Sequence, residues 1–301
     1  MNELNTELAE IIEASRPYTE KGNVATYIPE LAKADTSKLG AYIVTREGEY
    51  FAGDHDALFT MQSVVKPVIL LLALEDVGVE RVRSLVGVEA TGKPFDTFNY
   101  TDLALRNEHI NPMINAGAIA LCTLIKGDTY KEKIARLLDF TRKLAKNDSL
   151  EIDEDVYRSE KKTGNKNRAL AYMLNAYKMI DEDVEELLDC YFSACSIKVS
   201  CKDLANIAFV LAHCDRGIIK EEDARFVNAI LSTCGMYDGS GDFALSVGVP
   251  AKSGVGGGIM AIVPHRMGIG VYSPALDKKG NSVAGNRILE LLSSKLQLSI
   301  F

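Results

Sequence analysis

Apolar positions recur every three to four residues through most of the middle of this chain and give way to alternation near both ends. The opening stretch "MNELNTELAEIIEASRPY" reads as an amphipathic helix. "LGAYIVTREGEYFAGD" (39–54) predicts a hairpin, with two β-rich runs around the polar turn Arg46-Glu47-Gly48-Glu49. From Gln62 to about Cys234 the pattern is mostly helical. "VVKPVILLLALEDVG" predicts a central, buried helix. "NPMINAGAIALCTLIKG" predicts another, opened by Asn111-Pro112 as cap and first turn. "NRALAYMLNAYKMI" and "VSCKDLANIAFVLAHCDRG" keep the helical spacing, and Gly217 is expected to close the second.

After Gly235, glycine and β-branched residues dominate. Strands are expected near 243–248, 258–263 and 267–273, with turns at Val249-Pro250 and His265-Arg266. "NSVAGNRILELLSSKLQL" predicts a closing amphipathic helix. A sheet built from both ends of the chain, with helices inserted between, satisfies this order. The expectation is an α/β (α+β) chain acting as one unit, 1–301. Its sheet lobe would be 1–62 plus 235–301, and its inserted helical lobe about 63–234.

Composition narrows the function classes. A net charge of −8 and a pI near 5.2 give no nucleic-acid footprint, and no basic run exceeds Lys161-Lys162. The N-terminus lacks a basic region followed by an apolar one, so it does not read as a signal peptide. The longest apolar candidate, "VILLLALEDVGV", meets acids well before the roughly 18 residues a span needs. A cytoplasmic protein without a membrane partner is expected. The six cysteines form no C-x-x-C and read as reduced, small apolar side chains. The four histidines (His55, His109, His213, His265) are scattered, so neither a metal nor another cofactor is expected.

The candidate chemistry starts at "MQSVVKP" (61–67). A serine hydroxyl needs a base before it can attack. Ser63 and Lys66 are three apart and share a face if both open one helix. Pro67 fits a first turn but would cost about 3 kcal/mol in a helix interior, so the helix must start nearby. Ser63 then sits where free N–H groups and the positive dipole end can hold an oxyanion. A lysine buried there would be pushed toward its neutral, basic form. The chain also holds a second S-x-x-K, Ser159 to Lys162, with no apolar helix behind it. Taken alone, such a pair is more often a capping serine and a solvated lysine.

A second signal is "AKSGVGGG" (251–258). A Lys-Ser/Thr-Gly strand accompanies S-x-x-K in penicillin-recognising serine enzymes. It would offer backbone N–H groups, close approach at glycine and, from Lys252, positive charge. The remaining element of those enzymes, S-x-N or Y-x-N, is absent from the sequence. That counts against a β-lactamase or a transpeptidase.

The ordered blocks "GNVATYIPELA", "MQSVVKP", "NPMINAGAI", "SEKKTGNKNRALAYML", "YFSACSIKVSC", "CGMYDGSGDFA", "GVPAKSGVGGGI" and "DKKGNSVAG" closely resemble the serine-dependent glutaminase family, the bacterial and kidney-type L-glutaminases. The resemblance runs from about residue 20 onward; residues 1–15 and the loop region 127–150 are not matched. It implies a fold like that of the serine β-lactamases and transpeptidases: a mainly antiparallel sheet flanked by helices, beside a helical lobe. It implies hydrolysis of L-glutamine to L-glutamate and ammonia, with Ser63 as nucleophile, Lys66 as base and the N–H groups of Ser63 and Val255 as oxyanion donors. By the same resemblance Tyr191 moves a proton to the leaving ammonia or activates water, and Tyr237 lies close to the nucleophile. Glu160 would pair the α-ammonium, Asn115 and Asn167 would give amide contacts, and Tyr27 would bind near the mouth. The spacing of Glu160 and Asn167 fits two turns of one helix, but Thr163-Gly164-Asn165 fits a loop equally well. A homodimer or homotetramer is implied as well.

Two other functions compete. The fold can serve a β-lactamase or esterase, which fluorescent penicillin would label. The chain can also be a silent amino-acid-binding module, which would bind glutamine without turnover.

Overall fold

The structure is a computed structural model, and it describes residues 3–90, 110–214 and 217–301. The part of the helical expectation that falls on 91–109, including His109, lies outside the described residues. In chain order come α1 (Glu3–Ser15), β1 (Gly40–Thr45), β2 (Glu49–Gly53), β3 (Phe59–Thr60) and α2 (Lys66–Leu85). They are followed by α3 (Asn115–Cys122), α4 (Tyr130–Ala145), α5 (Glu154–Thr163), α6 (Asn165–Ala176) and α7 (Val184–Cys195). Then come β4 (Lys198–Val199), α8 (Cys201–His213), α9 (Glu221–Cys234) and α10 (Ser240–Ser246). The chain ends with β5 (Ala251–Ser253), β6 (Gly258–Val263), β7 (Met267–Tyr272) and α11 (Val283–Leu296).

The main sheet is antiparallel with strand order β2-β1-β7-β6-β5, so both ends of the chain build it, as the pattern predicts. Alternation sets its two faces. Ala41, Ile43, Ile259, Ala261, Val263, Ile269 and Val271 point to a core shared with α1 and α11. Tyr42, Val44, Met260, Ile262 and Tyr272 point to the other face, into the core of the helical lobe. On that face β7 presents Gly268 and Gly270, where a Cβ would overlap the backbone of α8 at Cys201, Ala205 and Phe209. The two glycines let α8 lie directly on the sheet. Gly268→Ala and Gly270→Ala are each expected to destabilise by about 3 kcal/mol, because backbone cannot yield as a side-chain tip can. Urea unfolding tests this; an unchanged midpoint would mean that α8 retreats freely.

Several boundaries depart from the sequence reading. The strand expected near 243–248 is instead α10. Alternation would put Phe243, Leu245 and Val247 on one face, yet Phe243 and Val247 are buried while Leu245 is 91% exposed. Burial four apart is helical spacing, and the Val247 amide donates to the Phe243 carbonyl at 2.8 Å. Asn111-Pro112 does not open α3, whose N-cap is Ile114. Asn111 instead accepts from the Met113 amide in a turn ahead of the helix. Gly217 does not close α8; Cys214, in a left-handed conformation, does. The region 127–150 is not a loop: it carries α4, whose Thr129 caps the Glu132 amide. The helix predicted over "VVKPVILLLALEDVG" kinks at Gly78, with φ 78°, and α2 resumes beyond it.

Candidate active site

Ser63 lies on a 3-10 turn, Gln62–Val65, which runs directly into α2 at Lys66. Gln62 holds a left-handed φ of 49°, which turns the chain sharply off β3 into this helix. The turn is buried because the first half of α2, through Leu74, is apolar and enclosed all round, so Ser63 is 6% exposed and Lys66 fully enclosed. The Lys66 ammonium donates to the Met113 carbonyl at 3.1 Å and to Asn115 Oδ1 at 2.7 Å. The same oxygen accepts from the Tyr191 hydroxyl at 3.3 Å, and Asn115 Nδ2 donates to Asn167 Oδ1 at 2.9 Å. Asn115 thus links Lys66, Tyr191 and Asn167 across α2, α3, α6 and α7.

The strand with the Lys-Ser-Gly triplet, β5, is an edge strand, and its end reaches Ser63 through glycine. A Cβ on Gly254 would stand 2.6 Å from the Met61 carbonyl oxygen, and one on Gly256 2.6 Å from that of Thr60. Only bare backbone allows that approach, which sets Val255 beside the serine turn. Neither the Ser63 nor the Val255 N–H meets an acceptor among the described residues, so both are open to an oxyanion.

Ser63, Val255, Tyr27, Asn115, Glu160, Asn167 and Tyr191 line one cavity of about 290 Å3. Lys66 lies beneath it. Tyr237 is buried behind the serine and holds a left-handed φ of 53°. Burial raises the Tyr237 phenol pKa, while the nearby Ser63 side chain pulls it back. Burial likewise holds the Tyr191 phenol well above its ordinary range. The structure therefore brings the residues named by the family resemblance into or beside one cavity. Glu160 and Asn167 reach it from two helices, because Gly164 separates α5 from α6.

Glu160 is the electrostatic feature of the cavity. It is 5% exposed, and its Oε1 has no hydrogen-bond partner among the described residues. Burial pushes its carboxyl up to about 7, against the hydrogen bond from Gln62 and the positive charge of Lys66. An open, buried carboxylate oxygen invites a cation.

Three placements were not legible in the sequence. Gln62 and Cys195 also line the cavity. Gln62 had a signal, a polar residue just before the serine inside an apolar run; Cys195 had none. Lys252 does not offer its charge to the cavity, as the strand reading suggested; it is fully buried beside Tyr237. The second S-x-x-K is a surface pair: Lys162 is exposed, and Ser159 accepts from the Glu30 amide at 3.4 Å. Among the described residues no group of acids, histidines and cysteines could hold a metal ion, and no helix is long and apolar enough to cross a membrane.

Comparison with known proteins gives the site its context. The glutaminase family model matches residues 22–301. A glutaminase of Clostridium tetani is 52% identical over 305 residues, covering 99% of this chain and 100% of the relative. A glutaminase of Clostridioides difficile is 51% identical over 309 residues, with full coverage of both chains, 100% and 100%. Among solved structures, a probable glutaminase from Bacillus subtilis complexed with 6-diazo-5-oxo-L-norleucine is 37% identical, with a TM-score of 0.90 over 100% of this chain and 98% of that one. A covalent complex of a Bacillus subtilis glutaminase with 5-oxo-L-norleucine, formed by reaction with the diazo compound, is 36% identical, with a TM-score of 0.89 over 99% of each chain. The fold is the serine β-lactamase-like fold that these glutaminases share. By sequence over nearly its whole length and by fold over all of it, the chain belongs to the glutaminase family.

Proposed function

We propose that this protein hydrolyses the side-chain amide of L-glutamine to L-glutamate and ammonia through a serine acyl-enzyme. The observation that carries the reading is Glu160, a buried carboxylate with an open oxygen in the same small cavity as Ser63. A cavity of about 290 Å3 suits a free amino acid rather than a polymer. Glu160 takes the α-ammonium, Tyr27 closes the mouth, and Asn115 and Asn167 hold the polar end. The carboxamide carbon then meets Ser63.

Lys66, as the neutral amine left once its ammonium has given up a proton, takes the Ser63 proton as Oγ bonds to that carbon. The carbonyl oxygen becomes an oxyanion on the N–H groups of Ser63 and Val255; losing one such donor typically costs about 3 kcal/mol of barrier. The C–N bond breaks as the leaving nitrogen gains a proton, relayed through Tyr191 or Tyr237. Water, deprotonated by the same groups, attacks the γ-glutamyl ester and releases glutamate. Residues 1–301 act as a single catalytic unit, with the sheet lobe (1–62 plus 235–301) and the helical lobe (about 63–234) meeting at Ser63. In the same reading the enzyme is cytoplasmic and works as a homodimer or homotetramer without a cofactor. A monomer by light scattering at micromolar concentration would overturn the oligomer.

The primary test is ammonia release from L-glutamine and, beside it, L-asparagine. Turnover of glutamine, together with attachment of 6-diazo-5-oxo-L-norleucine to Ser63 by peptide mapping, is the expected result. Folded protein that does neither would refute the reading.

Glu160 adds a pH signature. Its pKa is about 7 with the cavity empty, above the ordinary carboxylate range, so the empty protein loses stability as pH rises toward 7. Ammonium binding needs the ionised form. KM for glutamine should therefore rise about tenfold for each pH unit below the pKa that Glu160 has in the free enzyme. Glu160→Gln should raise KM and flatten this limb; an unchanged limb would remove Glu160 from substrate binding.

A further inference from the structure

Lys252 is one of the largest fully buried side chains in the molecule, and the mechanism above does not use it. Its register on β5, opposite Met260 on β6, turns it toward the helical lobe. The ammonium donates to the Gly235 carbonyl at 3.0 Å and to the Ser253 carbonyl at 2.7 Å, and it lies 4.2 Å from the centre of the Tyr237 ring. The amine has two hydrogens for the two carbonyls whether it is protonated or neutral, and the ring face covers its third side. Among the described residues no carboxylate pairs with it. The titratable groups that act on it are Lys66 on α2, Cys234 on α9 and Tyr237, and burial followed by the charge of Lys66 holds it well below the lysine range.

A buried lysine without an acid partner is an expensive way to fill space, and a methionine would pack as well. What the amine does that methionine cannot is reinforce the junction of two backbone segments, which the Ser253 amide already closes on the Gly235 carbonyl at 3.2 Å. One is the end of β5, which leads to the Val255 N–H. The other is the Gly235–Tyr237 segment, whose left-handed Tyr237 aims its phenol at the serine turn.

We propose that Lys252 is a positioning residue: it clamps the Tyr237 segment to strand β5, fixing the Tyr237 hydroxyl relative to Ser63. It touches no substrate and acts through Tyr237. This rests on the hydrolytic reading of the site.

The experiment is a double-mutant cycle on ammonia release from glutamine, with Lys252→Met and Tyr237→Phe singly and together. Lys252→Met keeps the side-chain volume; Lys252→Gln is made in parallel as a second probe of the clamp, and thermal unfolding checks the fold of each. Lys252→Met is expected to lower kcat about a hundredfold, the lower range for misplacing a proton-transfer group, with KM changed less than about threefold. In the Tyr237→Phe background, where no hydroxyl remains to be placed, the further loss should fall under about threefold. A full second loss, or equal effects on KM and kcat, would reduce Lys252 to a packing residue. If wild type turns over glutamine and the cycle is additive, only this inference fails. If wild type releases no ammonia, the hydrolytic reading fails and takes the inference with it.

Discussion

Ser63→Ala is expected to lower ammonia release from L-glutamine by at least about 10⁴-fold, the scale on which a lost serine nucleophile acts. The reason is local. The two backbone N–H groups and the Glu160 carboxylate would remain, but no oxygen would be left to form the acyl bond. Binding should survive, because the hydroxyl supplies none of the charge pairing. Calorimetry should therefore show glutamine binding to the mutant near neutral pH without turnover. Labelling by 6-diazo-5-oxo-L-norleucine should vanish with the activity. Activity retained in folded Ser63→Ala would place the nucleophile elsewhere and leave only the fold in common with the family. Glutamine binding without turnover in the wild type would instead favour a binding module.

Lys66→Met is expected to lower kcat by about 10³-fold, within the usual range for a general base. The fold should hold, since Lys66 is fully buried and methionine matches its stem. The change also strips Asn115 Oδ1 of its shorter hydrogen bond, leaving the longer one from Tyr191. Asn115 then becomes less constrained, and a moderate rise in KM should accompany the loss of kcat. Covalent labelling at Ser63 should slow in parallel with turnover. A variant with unchanged kcat would make Lys66 a structural tether for the 111–115 turn and α3 and would require another base.

Much of the fold was legible. The hairpin of β1 and β2, strands β6 and β7 and the first and last helices all follow from local periodicity, because each has one dominant buried pattern. The missed elements are those whose local signal is ambiguous. The segment at α10 reads as alternating until one knows that Leu245 faces solvent. The opening of α3 reads as Asn-Pro until Asn111 spends its side chain on a turn instead. Each was decided by which neighbours the segment meets, which no window of sequence contains.

For the site, the sequence alone determined the residue types and their order: a serine three before a lysine, a proline that forces a helix to begin there, and a glycine-flanked Val255 on a Lys-Ser-Gly strand. Tertiary structure alone decided which of them face the substrate cavity. It put Lys66 beneath the floor, bound to Asn115. It gave Glu160, from a charged surface-like stretch, a buried position with an open oxygen and a carboxyl near 7. It turned Lys252 away from the cavity and onto Tyr237. The physical reason is that chemistry at a site depends on dielectric and on distance, and both are set by side chains far apart in sequence. Glu160, Ser63 and Val255 share one cavity although they lie far apart in sequence, so only packing could bring them together.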